Sequence, residues 1–220
     1  MKKLLSTAAA LAMLTFSIPA QAGMFNGAFL GLQLGHNNTK IEGNESNLLG
    51  AGESLAVDFG ASGPEFGVVG GYRIKQDRFV FGVEAEGALS NASSTLIDID
   101  DGAGNTGRLE LEKRYSYAIG PRIGYLVTDN SLMFVGVDWA HGSFKGTGTA
   151  NGAASASGNV SLNGIRFGGG MEIAATEKIS LRLDYQHTDW GTYKESDGAG
   201  GTVSLKPTED TARISGIYSF

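Results

Sequence analysis

The chain has 220 residues with 34 glycines, no cysteine and a formal net charge of −6. At 41% apolar, with 11 Phe, 7 Tyr and 2 Trp, it is too hydrophobic to stay disordered, and it has no Gly-X-Y period. The absence of Cys removes disulfide frameworks, thiolate metal sites and Cys nucleophiles, and the acidic balance leaves no basic stripe for a nucleic acid.

The first element is an address. Met1-Lys2-Lys3 is a positive start, Leu4 to Ile18 is apolar apart from Ser and Thr, and Ala20-Gln21-Ala22 is an A-x-A cleavage site. That order predicts a secretory signal peptide over 1–22, cleaved after Ala22, with 23–220 as one exported domain. No later run is long and apolar enough for a spanning helix, so entry into a membrane would have to use strands.

Period-2 alternation then predicts eight strands, at 28–36, 64–75, 79–90, 114–125, 132–140, 162–173, 179–190 and 211–220. Three connections are short (76–78, 126–131 and 174–178). Four are long and rich in Gly, Asn, Ser and Asp (37–63, 91–113, 141–161 and 191–210). Strict alternation of short turns with long loops is the pattern of a transmembrane barrel, with tight turns inside and free loops outside. The expected fold is all-β, an eight-stranded antiparallel up-and-down transmembrane β-barrel.

The polar parity decides which way such a barrel faces. Opposite the apolar stripe stand Glu65, Glu84, Glu86, Asp138, Glu172 and Asp184, with Arg73, Arg114, Arg122, Arg166, Arg182 and Arg213. Every base is Arg, whose fork suits a confined carboxylate better than a solvated surface. These twelve are expected to form an interior ion network, with the apolar stripe facing lipid. Aromatics fit the same frame. Trp139 and Trp190 fall at outer strand ends, and Tyr72, Phe79, Tyr125, Tyr218 and Phe220 at the opposite ends, as interfacial girdles require.

Gly164-Ile-Arg-Phe-Gly-Gly-Gly-Met-Glu172 followed by Leu181-Arg-Leu-Asp-Tyr-Gln-His-Thr-Asp-Trp-Gly191 resembles the penultimate hairpin of Gram-negative eight-stranded outer-membrane barrels. Gly120-Pro-Arg-Ile-Gly-Tyr125 and Val135-Gly-Val-Asp-Trp139 are similar to the hairpin before it, and Ser215-Gly-Ile-Tyr-Ser-Phe220 to the terminal strand. The group is the opacity-like surface antigens and alphaproteobacterial porin-like proteins, related to OmpA and OmpX barrels. The resemblance implies residence in the bacterial outer membrane. It also implies Tyr218 and Phe220 as the signal read by the barrel-assembly machinery, with periplasmic chaperones on the way, and lipopolysaccharide and outer-membrane lipids as surroundings. Loop ligands on host or other surfaces do not transfer.

Three further motifs have bland readings. Gly102-Ala-Gly104-Asn-Thr-Gly107 fits G-x-G-x-x-G but lacks a βαβ context. Asp98, Asp100 and Asp101 suggest a loose divalent-cation loop without EF-hand spacing. His187-Thr188-Asp189 is reminiscent of outer-membrane lipid deacylases, yet Thr188 points away from His187. The expectation is therefore a non-enzymatic surface barrel with a plugged interior and no cofactor. A narrow porin is the alternative, and a lipid-modifying enzyme a remote one.

Overall fold

A computed structural model describes residues 23–46, 54–100, 106–150, 153–196 and 202–220. Its strands are β1 (Gly27–Ser46), β2 (Ser54–Gln76), β3 (Phe79–Ser90), β4 (Ser93–Asp100), β5 (Thr106–Thr128), β6 (Ser131–Ala150), β7 (Ala153–Ala174), β8 (Ile179–Asp189), β9 (Tyr193–Ser196) and β10 (Thr202–Ser219). All ladders are antiparallel, and β1 pairs with both β10 and β2, which closes the sheet into a barrel of eight staves. Strand β4 continues the stave of β3, and β9 continues that of β8.

Stepping across the ladders from Asn37 through Thr211, Gln186, Gly168, Gly136, Arg122, Gly82 and Arg73 arrives at Gly27, ten residues lower on β1. With ordinary strand rise and spacing, that stagger sets a tilt of about 40° and a backbone radius of about 8 Å. Such a barrel is just wide enough for its own side chains to fill.

Burial is inverted relative to a soluble protein. Leu32 is 72% and Leu89 67% exposed, whereas Glu172 and Glu209 are fully buried. The outward apolar face runs from Phe79, Tyr125 and Phe220 at the turn end up to Phe66, Leu89 and Trp139, a band about 25 Å tall at this tilt. All three histidines, His36, His141 and His187, stand at its upper rim. Among the described residues no helix is long and apolar enough to cross a membrane.

The long connections differ from expectation. Strands β2, β5, β6 and β7 run 20–23 residues, so most of 37–63, 91–113, 141–161 and 191–210 is sheet rather than loop. A strand of that length rises about 50 Å, twice the apolar band. These extensions are rich in small polar residues and lack one dry face, so they carry no hydrophobic alternation to betray them. The short turns agree with expectation: Asp77-Arg78, Asp129-Asn130 and 175–178. Asp77 takes φ 55°, a left-handed conformation that Asp tolerates in a tight turn.

Candidate functional site

The lumen holds the charged groups in two layers. In the lower layer Arg73 reaches Glu172 at 2.9 Å, and Glu172 also binds Arg182 at 2.9 Å. Arg182 continues to Glu84 at 2.6 Å, Glu84 to Arg122 at 3.6 Å, and Arg122 to Asp138 at 2.6 Å. The last pair is bidentate, the second guanidinium nitrogen donating to Asp138 Oδ2 at 2.8 Å. This layer draws one residue from each of β2, β3, β5, β6, β7 and β8, so it spans the lumen instead of lining it.

The upper layer is a closed ring. Arg166 pairs with Glu86, Glu86 with Arg213 at 2.7 Å, and Arg213 with Glu65 at 2.8 Å. Lys113 then bridges Glu65 at 3.2 Å and Glu209 at 2.7 Å, and Glu209 lies 4.0 Å from Arg166. Asn37 donates to Glu65 and Thr39 to Glu209, while Thr188 accepts from Arg166 Nε at 2.9 Å, which ties in β1 and β8. Each layer holds three acids and three bases, so each is neutral by itself. A buried ion pair is stable only when its remaining donors and acceptors are also satisfied, and here Arg73 Nε, Arg166 Nη2 and Arg213 Nη2 remain buried without a hydrogen-bond partner among the described residues. Asp184 sits between the layers and joins neither ion-pair set; its Oδ2 has no hydrogen-bond partner.

Apolar groups close both ends. Below, Arg73 lies 4.1 Å from the Phe29 ring centroid and Arg182 4.7 Å from that of Phe134. Beneath them Phe25, Val80, Leu126 and Leu132 form a buried cluster across the turn end. Above, Trp190, Phe144, Ala118 and Ala140 pack together, with Trp190 and Phe144 edge to face at 5.6 Å.

Glycine makes room for the long side chains. A Cβ on Gly136 would collide with the Arg122 side chain, and one on Gly120 with Asp138, so the bidentate pair exists because its cross-strand neighbours have no side chain.

Eleven of the twelve residues expected inside do point into the lumen. Arg114 does not: it is exposed. Pairing of β5 with β6 shifts register between Lys113 and Tyr115, so a β-bulge turns Arg114 outward beside Tyr115 and brings Lys113 into the lumen. Lys113 and Glu209 were missed by pattern. Lys113 stands one residue off the polar parity. Glu209 shares parity with Arg213 but lies in a stretch whose outward residues are polar too.

Of the expected girdle, Tyr72, Phe79, Tyr125 and Trp139 are exposed on the outer wall, as are Tyr218 and Phe220. Trp139 lies against Tyr117, which stacks on His141. Trp190 is instead buried in the upper lumen. It shares the parity of Arg182 and Thr188 and lies just past the end of β8 at Asp189, where its backbone N–H donates to the Pro207 carbonyl and Gly191 takes φ 75° before β9 resumes the same stave. His187 Nδ1 lies 2.8 Å from Asp210 Oδ1 on the outer wall, and the Tyr185 hydroxyl donates to the same oxygen at 2.7 Å. Asp101 and residues 102–105 lie outside the described residues, and the side chains of Asp98 and Asp100 are likewise not described. Among the described residues no group of three His, Cys, Asp or Glu is placed to hold a metal.

The sequence matches the family described as outer membrane protein beta-barrel domain over residues 8–209. No curated protein matches it. Among solved structures it is similar to the outer membrane protein OprG from Pseudomonas aeruginosa, at 13% identity and TM-score 0.52, covering 90% of this chain and 99% of that one. It is also similar to Neisserial surface protein A, at 13% identity and TM-score 0.43, covering 85% and 97%. A third is the outer membrane protease OmpT from Escherichia coli, at 9% identity and TM-score 0.47, covering 92% and 99%. At these identities the likeness to OprG speaks for the fold alone.

Proposed function

The chain belongs to the outer membrane protein β-barrel family, and from that premise we propose that it is a closed, non-catalytic surface barrel of the bacterial outer membrane. In this reading the leader over 1–22 directs export, and Tyr218 and Phe220 present the terminal strand to the assembly machinery. The extended strands carry contact sites above the lipid surface, open to lipopolysaccharide and to extracellular partners. The observation that carries the reading is the lumen itself: two ion-pair layers cross a barrel about 8 Å in backbone radius and lie between two apolar caps. In this reading such a stack leaves a hydrated ion no continuous path.

Ion conductance of the refolded chain 23–220 in a planar bilayer is the test. The expected result is no discrete steps. Reproducible small steps altered by Arg122→Ala or Glu84→Gln would make the protein a narrow pore, with those residues lining it.

A further inference from the structure

Above the middle of the apolar band the outer wall is not smooth. Gly87 on β3 faces outward, and a Cβ built there meets nothing within 4 Å. Its neighbours rise around it: Phe66 and Val68 on β2, Leu89 above, and Tyr115 and Tyr117 on β5. They form an open, apolar groove of about 580 Å³ in the outer wall. Because Phe66, Leu89 and Tyr115 mark the top of the band, the groove belongs to its outer half.

One residue above Tyr115 stands Arg114. The bulge in β5 has placed two consecutive side chains, Arg114 and Tyr115, on the lipid side of the wall. Arg114 is exposed and forms no ion pair with Glu112 or any other described residue. A free guanidinium at the lipid–water boundary, directly over an apolar groove with two tyrosines, matches an amphiphile with an anionic head and a long tail. Arginine binds phosphate through two parallel N–H donors, and the reduced dielectric at that level strengthens the contact.

We propose that the groove over Gly87, together with Arg114, is a specific binding site for one phosphorylated saccharolipid of the outer leaflet. One acyl chain lies between Phe66 and Tyr117, and a phosphate sits on Arg114. The site rests on the reading of the chain as an outer-membrane barrel but goes beyond it. The groove is continuous with the lipid-facing band, its level is that of the outer leaflet, and Arg114 offers parallel N–H donors to a phosphate there. The bulge thereby acts on both sides of the wall, supplying a lysine to the lumen and an arginine to the lipid.

Native mass spectrometry of the refolded chain 23–220, released from mixed micelles, tests the site. The probes are diphosphoryl lipid A, dephosphorylated lipid A and phosphatidylglycerol, each at equal mole fraction. The variants are Arg114→Gln, Gly87→Leu to fill the groove, and Gly216→Leu, which fills a second groove of about 470 Å³ in the turn-side half of the band. Neither glycine Cβ has a neighbour to strike, so all variants should keep the heat-sensitive gel mobility of a folded barrel. Expected is one retained diphosphoryl lipid A per wild-type barrel, about tenfold weaker retention for Arg114→Gln and for Gly87→Leu, and no change for Gly216→Leu. Retention of dephosphorylated lipid A should also fall. Equal retention of phosphatidylglycerol, unchanged retention in Arg114→Gln, or an equal loss in Gly216→Leu would overturn the proposal. A chain that folds and fails these comparisons refutes the lipid site alone; loss of heat-sensitive mobility in the wild type would refute the barrel reading itself.

Discussion

Lys113 and Arg114 are adjacent in sequence and lie on opposite sides of the barrel wall: Lys113 is buried in the lumen, and Arg114 is exposed on the outside. Regular alternation would do the reverse with the same two residues, since Arg114 shares its parity with Ser116 and Arg122. The bulge between β5 and β6 makes the exchange. It is what allows Lys113 to bridge Glu65 and Glu209 and complete the upper ring.

The two neighbours should therefore differ sharply in their contribution to stability. Lys113→Met leaves Glu65 and Glu209 with less positive charge in a water-poor lumen, and breaking a buried pair in this way costs about 3–5 kcal/mol. Arg114→Gln touches no ion pair and should stay within about 0.5 kcal/mol of wild type. Urea unfolding of both variants in lipid vesicles, read by tryptophan fluorescence, gives the comparison. The reverse order, with Arg114→Gln the costlier variant, would mean that the register of β5 is regular and the bulge absent.

The lower layer makes a second claim, that Arg122 and Asp138 act as a unit. Their bidentate contact should appear as a coupling of about 1–3 kcal/mol in the cycle Arg122→Ala, Asp138→Ala and the double variant. Gly136→Ala should destabilise by about 1–3 kcal/mol, because its methyl group displaces the Arg122 side chain from its seat. Additive single effects, with Gly136→Ala silent, would mean that the pair is not formed.

Much of this was legible in the sequence because one residue step flips a side chain from lipid to lumen. The apolar parity of Val83, Ile119 and Leu183, set against Glu84, Arg122 and Arg182, carries the inside–outside assignment without any knowledge of partners. What stayed hidden were departures from strict alternation and regions with no dry face. A bulge has no compositional mark, so Arg114 was placed by parity on the wrong side. The outward neighbours of Glu209, Thr208 and Asp210, are polar, so nothing distinguished its inner face. Pairing within each layer was also unreadable, since it depends on which staves face one another across the lumen.

The lipid-facing assignment predicts a depth-dependent penalty. Val83→Arg and Ile119→Arg fall near the middle of the band and should each cost about 2–4 kcal/mol in bilayers. Asn38→Arg, exposed above the rim on β1, should cost about 0–1 kcal/mol. Similar penalties at all three positions would contradict the placement of the band.

The two tryptophans offer a direct test of which face of the wall each occupies. Trp139 is 45% exposed on the outer wall, whereas Trp190 is 2% exposed against Phe144 and Ala140. Bromine on lipid acyl chains quenches an indole only at near contact. Trp190→Phe, which keeps Trp139, should therefore be strongly quenched in brominated bilayers. Trp139→Phe, which keeps Trp190, should be quenched weakly and emit from a site shielded from both lipid and water. Trp190→Ala should in addition cost about 3–5 kcal/mol, because it empties the layer above Lys113. Trp139→Ala removes only lipid contacts and should cost far less. If quenching in the two single-tryptophan proteins is equal, Trp190 faces the bilayer as a girdle residue, and the lumen lacks its upper cap.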